Sequence, residues 1–111
     1  MTFTRGDVVT TDIGYGRHHY VVISGDPRNG ALPSFLGVRV TTRRKPAIDS
    51  IVELLDDGPL QGRVLCDSII ELGHDHCSPH GRLSVETMRR VDDGLLAALG
   101  LDDTYTRSRY R

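Results

Sequence analysis

The chain has no tryptophan, only two cysteines, and aromatic residues at just 5% of its 111 positions. Two thiols, Cys66 and Cys77, are too few for a disulfide framework and predict reduced side chains. No apolar run approaches the roughly 20 residues that a membrane-spanning helix needs. The opening Met1-Thr2-Phe3-Thr4-Arg5-Gly6-Asp7 has no apolar signal core, so the expected location is cytoplasmic, with no membrane partner. Repeats, low-complexity tracts and domain-splitting linkers are missing as well. What remains is a soluble composition, 38% hydrophobic and 26% charged, of a size that buries roughly 65% of its unfolded surface in one core. That apolar content is modest, and a homodimer sharing apolar surface suits it.

A strongly basic balance is also lacking. The formal net charge is −1, which argues against a uniformly basic nucleic-acid binder. The distribution is uneven. Residues 1–45 carry seven Lys/Arg against three Asp/Glu, residues 46–103 four against twelve, and residues 104–111 three Arg and no acid. A polar surface for an anion is one reading, and charge scatter along the chain is the other.

Short strands come first and one helix last. Asp7–Asp12 is β-rich and runs into the cluster Gly14-Tyr15-Gly16. Tyr20–Ser24 is a continuous apolar run, predicted as a buried strand. Gly25–Gly30 reads as a loop by its turn chemistry. Phe35–Thr42 is a further strand, with Leu36, Val38 and Val40 on one face and Arg39 and Thr41 on the other. After the basic loop Arg43-Arg44-Lys45-Pro46 come predicted strands at Ser50–Leu54, Arg63–Asp67 and Ile69–Leu72. A helix is expected over Ser84–Leu99, capped by Ser84 and followed by Gly100. Its apolar stripe is Val85, Met88, Val91, Leu95, Ala98 and Leu99. The predicted fold is mainly β with a C-terminal helix: a small barrel or strongly bent sheet with one packed helix, residues 1–103 forming the domain and 104–111 a basic tail.

Three segments together resemble the MazF/PemK/Kid family of bacterial toxins. The first is the opening Arg5-Gly6-Asp7-Val8-Val9. The second is Val21-Val22-Ile23-Ser24 with Thr41-Thr42 following, Thr41 seventeen residues beyond Ser24. The third joins Val64–Ile69 to Gly81-Arg82-Leu83-Ser84-Val85-Glu86-Thr87-Met88, Val91-Asp92 and Leu95–Leu101. The resemblance implies an SH3-like barrel that forms a homodimer. It implies a sequence-specific endoribonuclease acting on single-stranded RNA, mRNA included, without metal or cofactor. It also implies a cognate antitoxin whose acidic, disordered tail occupies the RNA groove.

In such chemistry a base takes the ribose 2′-OH proton, a cation or donor stabilises the phosphorane, and an acid protonates the 5′-oxygen. The products are a 2′,3′-cyclic phosphate and a 5′-OH. The family's central Arg lies in a Gly-x-Arg-Pro turn before the second strand. The matching residues are Gly16-Arg17-His18-His19, so His18 stands for the Arg and His19 for the Pro. Either Arg17 supplies the guanidinium through a one-residue shift of a shortened loop, or His18 itself acts as acid or base. Thr41 matches the family's third-strand Thr, a phosphate or transition-state donor. Asp67 matches the acid/base Asp of Kid-like members, with Leu65 where those members carry an Arg. Candidate RNA contacts are Tyr15, His19, Arg39, Arg43, Arg44 and Lys45.

Other readings remain at this stage. The chain is alternatively a catalytically weakened relative, or a toxin that binds a protein target, as the related CcdB proteins bind DNA gyrase. His74-Asp75-His76-Cys77-Ser78-Pro79-His80 holds ligand types that zinc takes, but at a spacing of no known zinc motif, and reads as a polar surface loop. Cys66, inside an apolar strand, reads as a buried small hydrophobe.

Overall fold

The computed structural model describes residues 1–54, 58 and 60–101. Its six strands are β1 (Asp7–Asp12), β2 (Arg17–Val22), β3 (Ser34–Thr41), β4 (Ile51–Leu54), β5 (Gly62–Gly73) and β6 (Ser78–Arg82). They form one antiparallel sheet in the order β4-β5-β3-β2-β1-β6. The sheet is barrel-like but not closed, with β4 and β6 as its edges. Two helices complete the described fold, α1 (Asp26–Ala31) and α2 (Val85–Ala98). Neither is long and apolar enough to cross a membrane.

Alternating side chains give β1–β3 two buried faces. Val8, Val21 and Val38 stand on one, packed with Val64, Cys66 and the α2 residues Met88 and Val91. Val9, Tyr20 and Val22 stand on the other, with Phe3, Phe35 and Leu72. Both faces are buried because the sheet bends sharply. The bend lies in β5, where Val64 pairs with Val40 but Ile69 pairs with Val38. Four residues, Leu65–Ser68, therefore span the position opposite Arg39 alone. A bulge of this kind increases local twist and re-aims side chains.

α2 is capped as expected: Ser84 Oγ accepts from Thr87 N, and Gly100 follows the helix with φ +70°. The stripe is narrower than the sequence suggests. Met88 and Val91 are buried and Leu95 and Ala98 partly so, but Val85 and Leu99 lie exposed on the end turns.

Four elements differ from expectation. Gly25–Gly30 is no loop: Asp26–Ala31 makes the short helix α1, with Pro27 in its first turn and Asn29 buried against Ser24. β2 begins three residues before the apolar run, so Arg17, His18 and His19 are strand residues. Arg63–Asp67 and Ile69–Leu72 are one strand, because the backbone carries the bulge without leaving the ladder. The run His74–His80 is not a surface loop. His74 is buried inside a single 3₁₀ turn, His74–His76, and Ser78–Arg82 pairs with β1 as an edge strand.

Candidate active site

The β1–β2 turn is set by Asp12. Its Oδ1 accepts from Gly14 N at 2.8 Å and Gly16 N at 3.1 Å, and both glycines hold positive φ. Tyr15 projects into solvent from this turn, while its carbonyl meets His18 Nε2 at 3.1 Å. His18 Nδ1 lies 3.4 Å from Arg39 Nη2. A guanidinium only donates and a carbonyl only accepts, so these partners match an Nε2–H tautomer with the Nδ1 lone pair toward Arg39.

Strand phase then sorts the candidates. Thr11 pairs with His18, Val9 with Tyr20, and Tyr20 with Arg39, which places these residues on one face. Thr41 joins them by alternation along β3. Arg17 and His19 point to the opposite face, where Arg17 Nη1 donates to Thr10 Oγ1 at 3.1 Å and His19 stacks edge-on against His80, ring centroids 4.3 Å apart. Burial above all, then the neighbouring His80 and His18, hold the His19 imidazole below its ordinary pKa.

Thr41 is buried, and its Oγ1 accepts from Arg43 N at 3.2 Å, which turns the chain out of β3. Its hydroxyl proton is not spent on a described residue. Arg63 fixes this exit and carries no signal of that role in the sequence pattern. Its guanidinium donates to the carbonyls of Thr42 and Arg43 at 3.3 and 3.2 Å and pairs with Glu53 at 2.8 Å. Gly62, next to it, has φ +111°, and a Cβ there would overlap the Thr41 carbonyl. Arg43, Arg44 and Lys45 follow as exposed cations without an ion pair to any described residue. Asp67 is exposed in the β5 stretch opposite Arg39 and bonds to none of His18, Arg39 or Thr41.

The structure thus brings together His18, Arg39 and Thr41, with the basic segment beyond them, and separates Arg17 and His19. The residue types of the His74–His80 run do not converge. His74 uses both ring nitrogens, on Phe3 N at 3.1 Å and Asn29 O at 2.9 Å, while His80 lies against His19. Among the described residues no three His, Cys, Asp or Glu side chains form a metal-binding group. Cys66 is fully buried, and burial first, then Asp67 and Asp92, pushes its thiol up to about 12. A cavity of about 510 Å³ between β4 and α2, lined by Ile48, Val52, Leu96 and Ala97 among others, holds none of the candidates.

The profile of a family described as PemK-like, MazF-like toxin of type II toxin-antitoxin system matches residues 4–99. The chain belongs to this family. Among curated PemK/MazF-like relatives, the endoribonuclease MazF1 of Mycobacterium bovis is 35% identical over 98 residues, covering 87% of this chain and 92% of the relative. The endoribonuclease MazF4 of Mycobacterium tuberculosis matches to the same extent. A solved mycobacterial endoribonuclease in complex with its cognate antitoxin superposes with a TM-score of 0.85 at 34% identity, over 90% of this chain and 97% of that one. A MazE–MazF structure from Deinococcus radiodurans shares the fold, with a TM-score of 0.77 at 22% identity over 90% and 97% of the two chains.

Proposed function

We propose that this protein is the endoribonuclease toxin of a type II toxin-antitoxin pair, cutting single-stranded RNA by acid–base chemistry carried by its own side chains. Relatives named endoribonuclease over nearly the whole chain support the reaction class. The observation that carries the reading is the shared face of His18 and Thr41 at the ends of β2 and β3. His18 Nδ1 offers a lone pair for the 2′-OH proton, Thr41 offers a hydroxyl to a phosphate oxygen, and exposed Asp67 supplies an acid from the neighbouring strand. Tyr15 stacks on a base, and Arg43, Arg44 and Lys45 hold flanking phosphates. Arg17 and His19, on the opposite face, contact the RNA only where it wraps over the β1–β2 turn.

Two further partners fit two different surfaces. An acidic antitoxin tail competes with RNA for the free cations, as its charge matches the substrate's. A second copy covers apolar surface that one chain leaves exposed, including Ile48, Leu96, Leu99 and Leu101. Relatives named endoribonuclease favour this reading over a toxin that binds a protein target.

Incubation of the pure protein with mixed RNA in EDTA, followed by end-group analysis, tests the reading. Cleavage that survives EDTA and leaves 2′,3′-cyclic phosphate and 5′-OH ends is expected. Intact RNA in every buffer, or cleavage only on adding Zn²⁺, contradicts it.

A further inference from the structure

We propose that Arg39 is a catalytic residue, its guanidinium meeting the scissile phosphate and stabilising the phosphorane. The proposal rests on the ribonuclease reading and deepens it, since Arg39 has so far been only a candidate RNA contact. Four other arginines, Arg5, Arg28, Arg63 and Arg82, are each paired with a carboxylate: Asp92, Glu71, Glu53 and Asp7. Arg39 is half-buried between β2 and β5 and pairs with no carboxylate among the described residues. Its polar contact is the ring of His18, which offers no negative charge. Its Nε is, among the described residues, the one buried side-chain nitrogen or oxygen without a hydrogen-bond partner. Nε has no surface open to solvent, so an anion reaches this uncompensated charge through the terminal Nη groups. The planar guanidinium suits a phosphate, which it meets through two parallel N–H groups.

The neighbours make that anion a reacting one. On the same face, Arg39 has the His18 lone pair on one side and the Thr41 hydroxyl two residues along its own strand. A phosphate seated on Arg39 takes over its N–H groups and frees His18 Nδ1. The 2′-oxygen then forms its bond to phosphorus as its proton passes to Nδ1. The P–O5′ bond breaks, and the 5′-oxygen takes a proton from water or Asp67. The added charge on the phosphorane falls on Arg39 and Thr41, whose groups are already in place.

The test uses the full chain, a defined oligoribonucleotide with a mapped cut, and its analogue with 2′-deoxyribose at the scissile nucleotide. Arg39→Met and Arg39→Gln remove the charge while keeping the length of the stem, and whichever retains the parent's circular dichroism and melting decides. Single-turnover cleavage is expected to fall about 10²–10³-fold while affinity for the uncleavable analogue changes less than about fivefold. Added guanidinium ion is expected to restore part of the rate in Arg39→Met. Cleavage within about threefold of the parent overturns the proposal, and so does a loss of analogue affinity that equals the loss of rate, which makes Arg39 a docking contact. A parent that cleaves while the variants are unimpaired removes Arg39 and leaves the ribonuclease reading standing. A parent that never cleaves removes both.

Discussion

At the scale of single residues, the phase of one strand sorts the candidate side chains between two faces of the sheet. Arg17 and His18 are neighbours in the chain, so β2 sends them to opposite faces. The sequence identified both but could not choose, because the choice depends on where β2 starts. Its apolar run begins at Tyr20, yet the ladder extends back to Arg17 against Asp12. Arg39 and Thr41 were legible as a shared face from alternation alone. The contact of Arg39 with His18 was not, because it depends on the pairing of two strands. His19 gives a pH dependence with a definite sign. Its folded pKa lies below the ordinary 6.5, so the folded state binds fewer protons than the unfolded chain. The stability is complete above about pH 6.5 and drains away as pH falls below that value. Urea midpoints at pH 7.5 and 5.5 are expected to differ less in His19→Gln than in the parent; an unchanged difference contradicts this. Cys66, buried with its thiol pushed up to about 12, is expected to resist alkylation at pH 8 until the chain unfolds, as mass spectrometry of labelled protein would show.

Among the elements, β1, β3, β4 and α2 were readable because their apolar periodicity agrees with the face they bury. Those misread lack such a signal. β6, Ser78-Pro79-His80-Gly81-Arg82, is exposed along its whole length and contains both Pro and Gly, as an edge strand permits. α1 has six residues, too few to display a helical period, and its Pro and Gly mimic a turn. β5 looked broken at Asp67-Ser68 because the bulge exposes both residues in mid-strand. Two glycines limit how these elements meet. A Cβ on Gly94 of α2 would lie 2.8 Å from both Cys66 Sγ and Val52 Cγ2. Alanine gains about 1 kcal/mol of helix propensity there but overpacks the core at about 1–3 kcal/mol. Gly94→Ala is therefore expected to lower the urea midpoint despite its better helix former; a raised midpoint contradicts the packing. Gly62→Ala is harsher, since positive φ adds about 1–3 kcal/mol of strain and the new methyl pushes on the Thr41 carbonyl. It is expected to lose RNA cleavage as well as melting temperature.

Across the whole molecule, the segments that resembled the family turn out to be mostly architecture. Arg5 pairs with Asp92 of α2 and donates to the Ile23 carbonyl. Arg82 pairs with Asp7 at 2.8 Å and reaches Thr4, while Leu83 N bonds the Gly6 carbonyl at 3.0 Å. Arg5-Gly6-Asp7, Gly81-Arg82-Leu83 and Val91-Asp92 thus clasp β1, β6 and α2 together, away from His18 and Thr41. This explains why the family was legible while the candidate site was not: the fold motifs are intact, and the departure at His18 falls at the start of β2, on the candidate face. The partly exposed Arg5–Asp92 pair is worth about 0.2–1 kcal/mol. Arg5→Ala is accordingly expected to lower the melting temperature by a few degrees and leave RNA cleavage intact. The assembly in solution is expected to be a dimer, at twice 12.3 kDa by light scattering. The basic tail at 104–111 lies outside the described residues. If the face shared by His18 and Thr41 performs the cleavage, as proposed, single-turnover rates of Arg17→Ala and His18→Ala on one defined RNA separate the two faces. A loss of about 10²–10⁴-fold is expected for His18→Ala and less than about tenfold for Arg17→Ala. A severe loss in Arg17→Ala beside a near-parental His18→Ala would contradict the proposal and move the site to the opposite face of the sheet.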